Sequence, residues 1–148
     1  MKQKNIVLGL LIFGILGCPK SKTPEAVKAV KFEDSYVISS DLDKNSGLLT
    51  LKIQLKEDFH AYAQGEKIGK PVALEIKNIN GYQALDAPII PAGRLKKLAG
   101  SGQGYVLEGE FSIKQRLKIG NGVGKALLHM QICTAELCDR PRTHEISL

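Results

Sequence analysis

Hydrophobic and polar residues alternate along most of the chain after residue 30. The alternation is most regular over residues 48–56, where one face carries Leu49, Leu51, Ile53 and Leu55. A period of two is typical of a β-strand that buries one face. Similar segments, separated by turn-forming residues, recur near residues 30–38, 72–76, 105–113, 126–132 and 146–148. The pattern predicts six or seven strands in an antiparallel β-sandwich, an all-β fold.

The phase of the alternation assigns faces within two of these segments. In residues 105–113 it predicts one strand, with a shared face formed by Tyr105, Leu107, Phe111 and Ile113. At the end of the later segment, it predicts Ile132 on the core face and Cys133 on the opposite face. Before the first of these segments, the glycine-rich residues 99–104 predict a flexible loop.

The first residues have the pattern of an export signal. A basic start, Met1–Asn5, precedes an uncharged apolar run of eleven residues, 6–16. This run fits a signal peptide and is too short for a membrane-spanning helix, which needs roughly 20 residues. It continues into Gly17 and Cys18, and the sequence 15–18 resembles the lipobox of bacterial lipoproteins.

The lipobox resemblance implies three parts of the chain. We expect residues 1–17 to be a lipoprotein signal peptide, residues 18–29 a lipidated N-terminus and polar tether, and residues 30–148 the folded domain. The acyl chains on Cys18 would hold the domain on a membrane, outside the cytoplasm, where disulfides persist. The alternative is an ordinary secretory signal followed by an incidental cysteine.

Composition and charge exclude several classes of protein. With 43% hydrophobic residues the 148-residue chain is of the ordinary globular kind. It lacks tryptophan and has 5% aromatic residues, which disfavours a base-stacking surface for nucleic acids. The net charge of +6 includes lysines near the anchor, and anionic lipid head groups account for them. The sequence carries no phosphate-binding loop, dinucleotide fingerprint or serine-hydrolase elbow.

The candidate chemistry is a pair of cysteines near the carboxyl end. Cys133 and Cys138 are separated by four residues, close enough to form a disulfide if the loop curls back. Such a short loop contributes only about 2 kcal/mol by chain entropy. A domain of this size can build its own core. The spacing therefore favours thiol exchange over a purely structural link. The flanking charges oppose one another in their effect on a thiolate: Arg140 and Arg142 against Glu136 and Asp139.

The segment around these cysteines resembles a known family. Residues 131–141, Gln-Ile-Cys-Thr-Ala-Glu-Leu-Cys-Asp-Arg-Pro, resemble the Y-Q-A-C-x4-C-x-P-P signature of the periplasmic N-terminal domain of DsbD-type thiol:disulfide interchange proteins. Residues 58–62 resemble the aromatic G-Y-H-x-Y element of that domain, and residues 71–76 and 105–111 resemble two of its strands. The resemblance covers about residues 30–148. Met130 and Arg140 depart from the signature, and residues 98–103 lack the aromatic residue of the family's cap loop.

The resemblance implies an immunoglobulin-like β-sandwich that passes electrons between protein thiols without a cofactor or metal. It implies that Cys138 forms mixed disulfides with partners and that Cys133 resolves them. It also implies that Phe59, His60 and Tyr62 lie beside the pair and shield it. The expected partners are thioredoxin-like domains or periplasmic oxidoreductases. We expect a membrane electron transporter to act in trans, because the sequence stops at Leu148.

Two other classes of function remain open at this stage. In the first, the domain is a lipid-anchored binding module and the disulfide is only structural. In the second, the chain carries a metal, since thiolate, thioether and imidazole ligands suit Cu(I) or Zn. The candidate ligands are Cys133, Cys138, Met130 and either His129 or His144.

Overall fold

A computed structural model describes residues 30–98, 100 and 102–148 of the protein. The predicted signal peptide, the predicted lipidation site Cys18 and the tether lie outside these residues. A short 3-10 helix, Phe32–Asp34, precedes eleven strands. The strands are β1 (Tyr36–Asp43), β2 (Leu48–Leu55), β3 (His60–Tyr62), β4 (Ala73–Lys77), β5 (Gln83–Ala84), β6 (Arg94–Leu98), β7 (Gly102–Glu108), β8 (Glu110–Lys118), β9 (Lys125–Met130), β10 (Ile132–Cys133) and β11 (Arg142–Ser147). Within the described residues, no helix has the length and apolar character needed to cross a membrane.

The strands form three antiparallel sheets. The first sheet has the order β1-β2-β8-β5, the second β10-β3-β7-β6 and the third β11-β9-β4. All pairings between these strands are antiparallel. The structure confirms the predicted all-β, immunoglobulin-like antiparallel fold.

The main core lies between the first sheet and the other two. The residues predicted as the buried face of β2 are buried, with exposed fractions of 1%, 0%, 0% and 4% for Leu49, Leu51, Ile53 and Leu55. Residues from the second and third sheets, including Ala61, Leu107, Leu128 and Ile132, belong to the same cluster. Burying a side chain of this size stabilises the fold by about 1.5–3 kcal/mol. The alternation of β2 therefore sets one wall of the sandwich.

The prediction of a single strand over residues 105–113 was wrong. Gly109, with a φ of 60°, separates β7 in the second sheet from β8 in the first. Tyr105 is 51% exposed, whereas Val106, predicted to lie on the outer face, is fully buried. The reason is that the outer face of the second sheet carries a second apolar cluster, formed by Tyr62, Leu98, Val106 and Cys133. Both faces of β7 are therefore covered in part.

The prediction of a flexible loop over residues 99–104 was also wrong in part. Gly102–Gly104 belongs to β7 and pairs with β6, so that the two strands form a hairpin. Arg94–Leu98 escaped prediction because three of its five residues are charged. The hairpin places Leu98 in the second cluster.

We predict that the β2 core face carries much of the stability. Ile53→Ala should lower the free energy of unfolding by about 2–5 kcal/mol, because it leaves a cavity in a packed interior. The control Val37→Ala alters a residue of the neighbouring strand that is 64% exposed, and it should change stability by less than about 0.5 kcal/mol. Urea unfolding measures both variants. Equal losses would contradict this account of the core.

Candidate functional site

The two cysteines form a disulfide at the edge of the second sheet. Cys133 ends β10, and Cys138 returns beside it, with the Cα atoms 4.0 Å apart and the sulfurs bonded. Thr134 shapes the turn between them, because its Oγ accepts the backbone N–H of Leu137 at 3.1 Å and that of Glu136 at 3.3 Å. The backbone N–H of Thr134 donates to the carbonyl of Leu137 at 2.7 Å. The loop thus curls back as the spacing requires.

The two cysteines differ in their exposure to solvent. Cys133 is fully buried, whereas Cys138 is exposed. Cys133 lies opposite Ile132, as predicted, but its face is covered by the second cluster and does not meet solvent. Cys138 is therefore the cysteine that lies at the surface, while Cys133 stays enclosed.

His60 and Tyr62 lie beside the disulfide. The Cα register pairs His60 directly with Cys133 across β3 and β10. The hydroxyl of Tyr62 is 3.7 Å from Sγ of Cys138, and the Tyr62 ring packs edge-to-face on the His60 ring with centroids 5.7 Å apart. Both side chains share the outer face of the second sheet, because they are two residues apart in one strand.

Phe59, in contrast, is not brought to the pair. Its ring packs against the main core and edge-to-face on Phe32, with centroids 5.9 Å apart. Phe59 adjoins His60 in sequence, and adjacent residues of an extended segment point to opposite faces. The structure therefore brings together two of the three residues that were predicted to shield the pair.

His60 is a buried polar side chain without a partner. Its exposed fraction is 1%, and neither ring nitrogen has a hydrogen-bond partner among the residues that the structure describes. Leaving a buried polar group unpaired typically lowers the stability of the fold by about 1–3 kcal/mol, and such groups are rare in folded proteins. Burial lowers the pKa of His60, and Lys96 acts in the same direction while Glu108 opposes both. The imidazole is therefore neutral at neutral pH.

A charged network flanks the imidazole on the other side. Glu108 is the cross-strand neighbour of His60 on β7. Its carboxylate pairs with Lys96 at 2.5 Å and with Arg94. Burial works against ionisation of Glu108, but the hydrogen bonds from Lys96 and Arg94 prevail and lower its pKa. The carboxylate is thus already occupied by two cations.

Side chains around the loop fix the position of Cys138. The amide of Gln131 donates to the carbonyl of Asp139 at 2.9 Å and accepts the backbone N–H of Lys70 at 2.9 Å. The Asp139 carboxylate pairs with Arg142 at 2.5 Å, and Arg142 also reaches Glu33 at 3.1 Å. Arg142 was expected to favour a thiolate, but its charge is paired with these two carboxylates.

Leu98 is a site residue that the sequence did not reveal. It comes from the β6–β7 hairpin, is 6% exposed and shares the second cluster with Cys133 and Tyr62. Leu98, at the last position of β6, is buried in this cluster, which only the pairing of β6 with β7 makes evident.

The residues considered for a metal site have other surroundings. Met130 is buried in the main core. His129 contacts Thr143 at 2.8 Å, and His144 packs on Tyr36. Among the residues that the structure describes, no three histidine, cysteine, aspartate or glutamate side chains form a group that could hold a metal ion.

The fold and the site define a β-sandwich domain with a disulfide between one buried and one exposed cysteine. A sequence profile of the family "Thiol:disulfide interchange protein DsbD, N-terminal" matches residues 26–148. The chain belongs to this family of DsbD N-terminal domains. Comparison with curated protein sequences found no match.

Two solved structures share the fold. The reduced N-terminal domain of DsbD from Neisseria meningitidis has a TM-score of 0.61 and 16% sequence identity, and the match covers 80% of this chain and 88% of that one. The N-terminal periplasmic domain of ScsB from Proteus mirabilis has a TM-score of 0.56 and 18% identity, covering 81% of this chain and 49% of that one. At these identities the likeness concerns the fold.

The burial of His60 predicts a pH dependence of stability. Folding lowers the pKa of His60 from its ordinary value of 6.5, so the unfolded chain binds a proton at a pH at which the folded protein does not. Stability is therefore full above about pH 6.5 and is lost as the pH falls through that value towards the lower pKa of the folded state. The free energy of unfolding of the wild type should fall more steeply than that of His60→Phe between about pH 7 and pH 5. Parallel curves from denaturant unfolding would contradict this prediction.

Proposed function

We propose that this domain exchanges disulfides with partner proteins on the periplasmic side of a membrane, through Cys133 and Cys138. The observation that carries the proposal is the unequal exposure of the two cysteines, with Cys138 exposed and Cys133 fully buried. Thiol–disulfide exchange needs one sulfur that an incoming thiolate can attack and one that can leave and return. Membership of the family supports the same chemistry.

The direction of attack follows from access. A thiolate of a partner dithiol attacks Sγ of Cys138, forms a mixed disulfide and displaces Sγ of Cys133 as a thiolate, which takes up a proton. The partner's second thiolate then attacks the partner's first sulfur, which is bonded to Cys138 in the mixed disulfide. This attack releases Cys138 as a thiolate, which is protonated in turn. The partner loses two electrons and two protons, and the domain gains them. When the domain reduces a substrate, the same steps run in reverse.

The surroundings of the pair restrict which molecules react. His60 lies directly opposite Cys133 within the second sheet, and Tyr62, Leu98 and Val106 share the second cluster with Cys133. Tyr62 lies against Cys138 itself, with its hydroxyl 3.7 Å from Sγ. We infer that this enclosure slows unspecific oxidation and that a partner protein must present its sulfur to the open side of Cys138.

The partners and the location form the second part of the proposal. The family and the periplasmic origin of the ScsB domain support a periplasmic domain that meets thioredoxin-like domains or oxidoreductases. A membrane electron transporter would supply the electrons in trans. The lipobox-like end of the apolar run, at Cys18, supports an anchor that keeps the domain at the membrane surface.

The exchange proposal predicts different roles for the two cysteines. In the full-length protein with Cys133→Ser, Cys138 has no internal resolving thiol, so mixed disulfides with thioredoxin-like partners should accumulate. With Cys138→Ser they should be nearly absent, because Cys133 is enclosed. Non-reducing electrophoresis followed by peptide mass spectrometry measures both.

A different outcome would favour the binding-module alternative. If native protein treated with a mild reductant stays folded and neither cysteine reacts with a thiol label, the disulfide is structural. If, in addition, neither Cys133→Ser nor Cys138→Ser forms mixed disulfides, exchange is rejected altogether.

The anchor proposal predicts that Cys18 carries the lipid. The wild-type chain, expressed in a bacterium, should fractionate with membranes and yield an acylated N-terminal peptide beginning at Cys18, because acyl chains bind the bilayer. Cys18→Ser should leave the protein in the soluble fraction or unprocessed. A wild-type N-terminus without acyl groups would show an ordinary secretory signal instead.

A further inference from the structure

The unpartnered imidazole of His60 faces the disulfide. His60 and Cys133 are directly opposite across β3 and β10, so their side chains share one face with Cβ atoms about 4.5–5.5 Å apart. Both ring nitrogens are buried and without a hydrogen-bond partner among the described residues. In the oxidised state, Cys133 offers no S–H group and no charged sulfur to them.

The other groups that face His60 either form ion pairs elsewhere or contact the imidazole only through an aromatic ring. Glu108, from β7, is paired with Lys96 and Arg94 of β6. Tyr62, from the same strand, meets the imidazole with its ring and directs its hydroxyl to Cys138. The polar atom that appears next to His60 when the disulfide opens is therefore the sulfur of Cys133.

We propose that His60 is the proton acceptor and hydrogen-bond partner of Cys133 in the dithiol state. This inference rests on the proposed exchange function and assigns the acid–base group of its resolving step. A neutral imidazole has one N–H donor and one lone pair, so it can donate to a thiolate and accept from a thiol. The position of His60 opposite Cys133 accounts for both states. Its ring nitrogens have no hydrogen-bond partner when the disulfide is closed, and the sulfur of Cys133 becomes that partner when the disulfide opens.

Reduction of a partner disulfide by the domain proceeds through two exchanges. The thiolate of Cys138 attacks the partner, forms a mixed disulfide and releases one partner sulfur, which takes the proton that Cys138 had lost. The S–H of Cys133 gives its proton to His60, and the resulting thiolate attacks Sγ of Cys138. The second partner sulfur leaves as a thiolate and receives the proton from His60 through solvent. Two electrons and two protons pass to the partner.

The test separates the two sulfur steps in time. The full-length protein is reduced with dithiothreitol, freed of reductant and mixed with an aromatic disulfide that releases a coloured thiolate at each step. The first release reports attack by Cys138, and the second reports resolution by Cys133. In His60→Phe, the second rate should fall by about tenfold to a hundredfold, while the first rate stays unchanged. The part of the pH dependence of the second rate that comes from His60 should also disappear.

The matched control is His144→Phe. His144 also packs edge-to-face on a tyrosine, Tyr36, with centroids 5.3 Å apart, and its pKa is likewise lowered by burial and by Arg142. It belongs to β11 in the third sheet, outside the second cluster. Both rates should match the wild type. A second rate that is equal in the wild type and His60→Phe would overturn the proposal.

A measurement on the wild type guards against misfolding of the variant. The ¹⁵N resonances of the His60 ring should shift between the oxidised and the reduced protein, and in the reduced protein they should follow the titration of Cys133. Identical resonances in both states would also overturn the proposal. If His60 passes these tests but thioredoxin-like proteins do not react with the wild type, the proposed partners are wrong while the role of His60 stands.

Discussion

The site depends on the opposite orientation of two consecutive side chains in a strand of two residues. Ile132 packs in the main core and Cys133 in the second cluster, so the backbone of β10 is held from both faces. Pairing with β3 fixes its register, and places Cys133 opposite His60. From this rigid point the chain makes one tight turn, which brings Cys138 to the surface. The difference in exposure between the two cysteines thus follows from the second cluster, which covers Cys133, and from the turn, which brings Cys138 to the surface.

The charged side chains around the disulfide form ion pairs with one another. The Cys138 loop is held by the pairing of Asp139 with Arg142, and the imidazole of His60 is flanked by the closed network of Glu108 with Lys96 and Arg94. Each of these charges is therefore paired with a neighbour of opposite sign. The hydroxyl of Tyr62 lies 3.7 Å from Sγ of Cys138, and His60 is the cross-strand neighbour of Cys133.

The sequence predicted those features that depend on local periodicity. The alternating residues of β2 form the core wall as expected, because that strand has one buried face. Val106 was misplaced because β7 is covered on its outer face too, by residues distant in sequence. Leu98 was missed because it belongs to a charged strand that is recognisable only by its pairing. Phe59 could have been separated from His60 and Tyr62 by the same alternation that placed the core of β2.

The reduction potential of the Cys133–Cys138 disulfide tests the central claim most directly. The full-length protein is equilibrated with glutathione buffers of defined potential, and its oxidised fraction is read by mass spectrometry after alkylation. A disulfide that serves exchange should have a potential above about −300 mV, within reach of cellular dithiols. A potential well below about −300 mV is typical of inert structural bridges and would contradict the account.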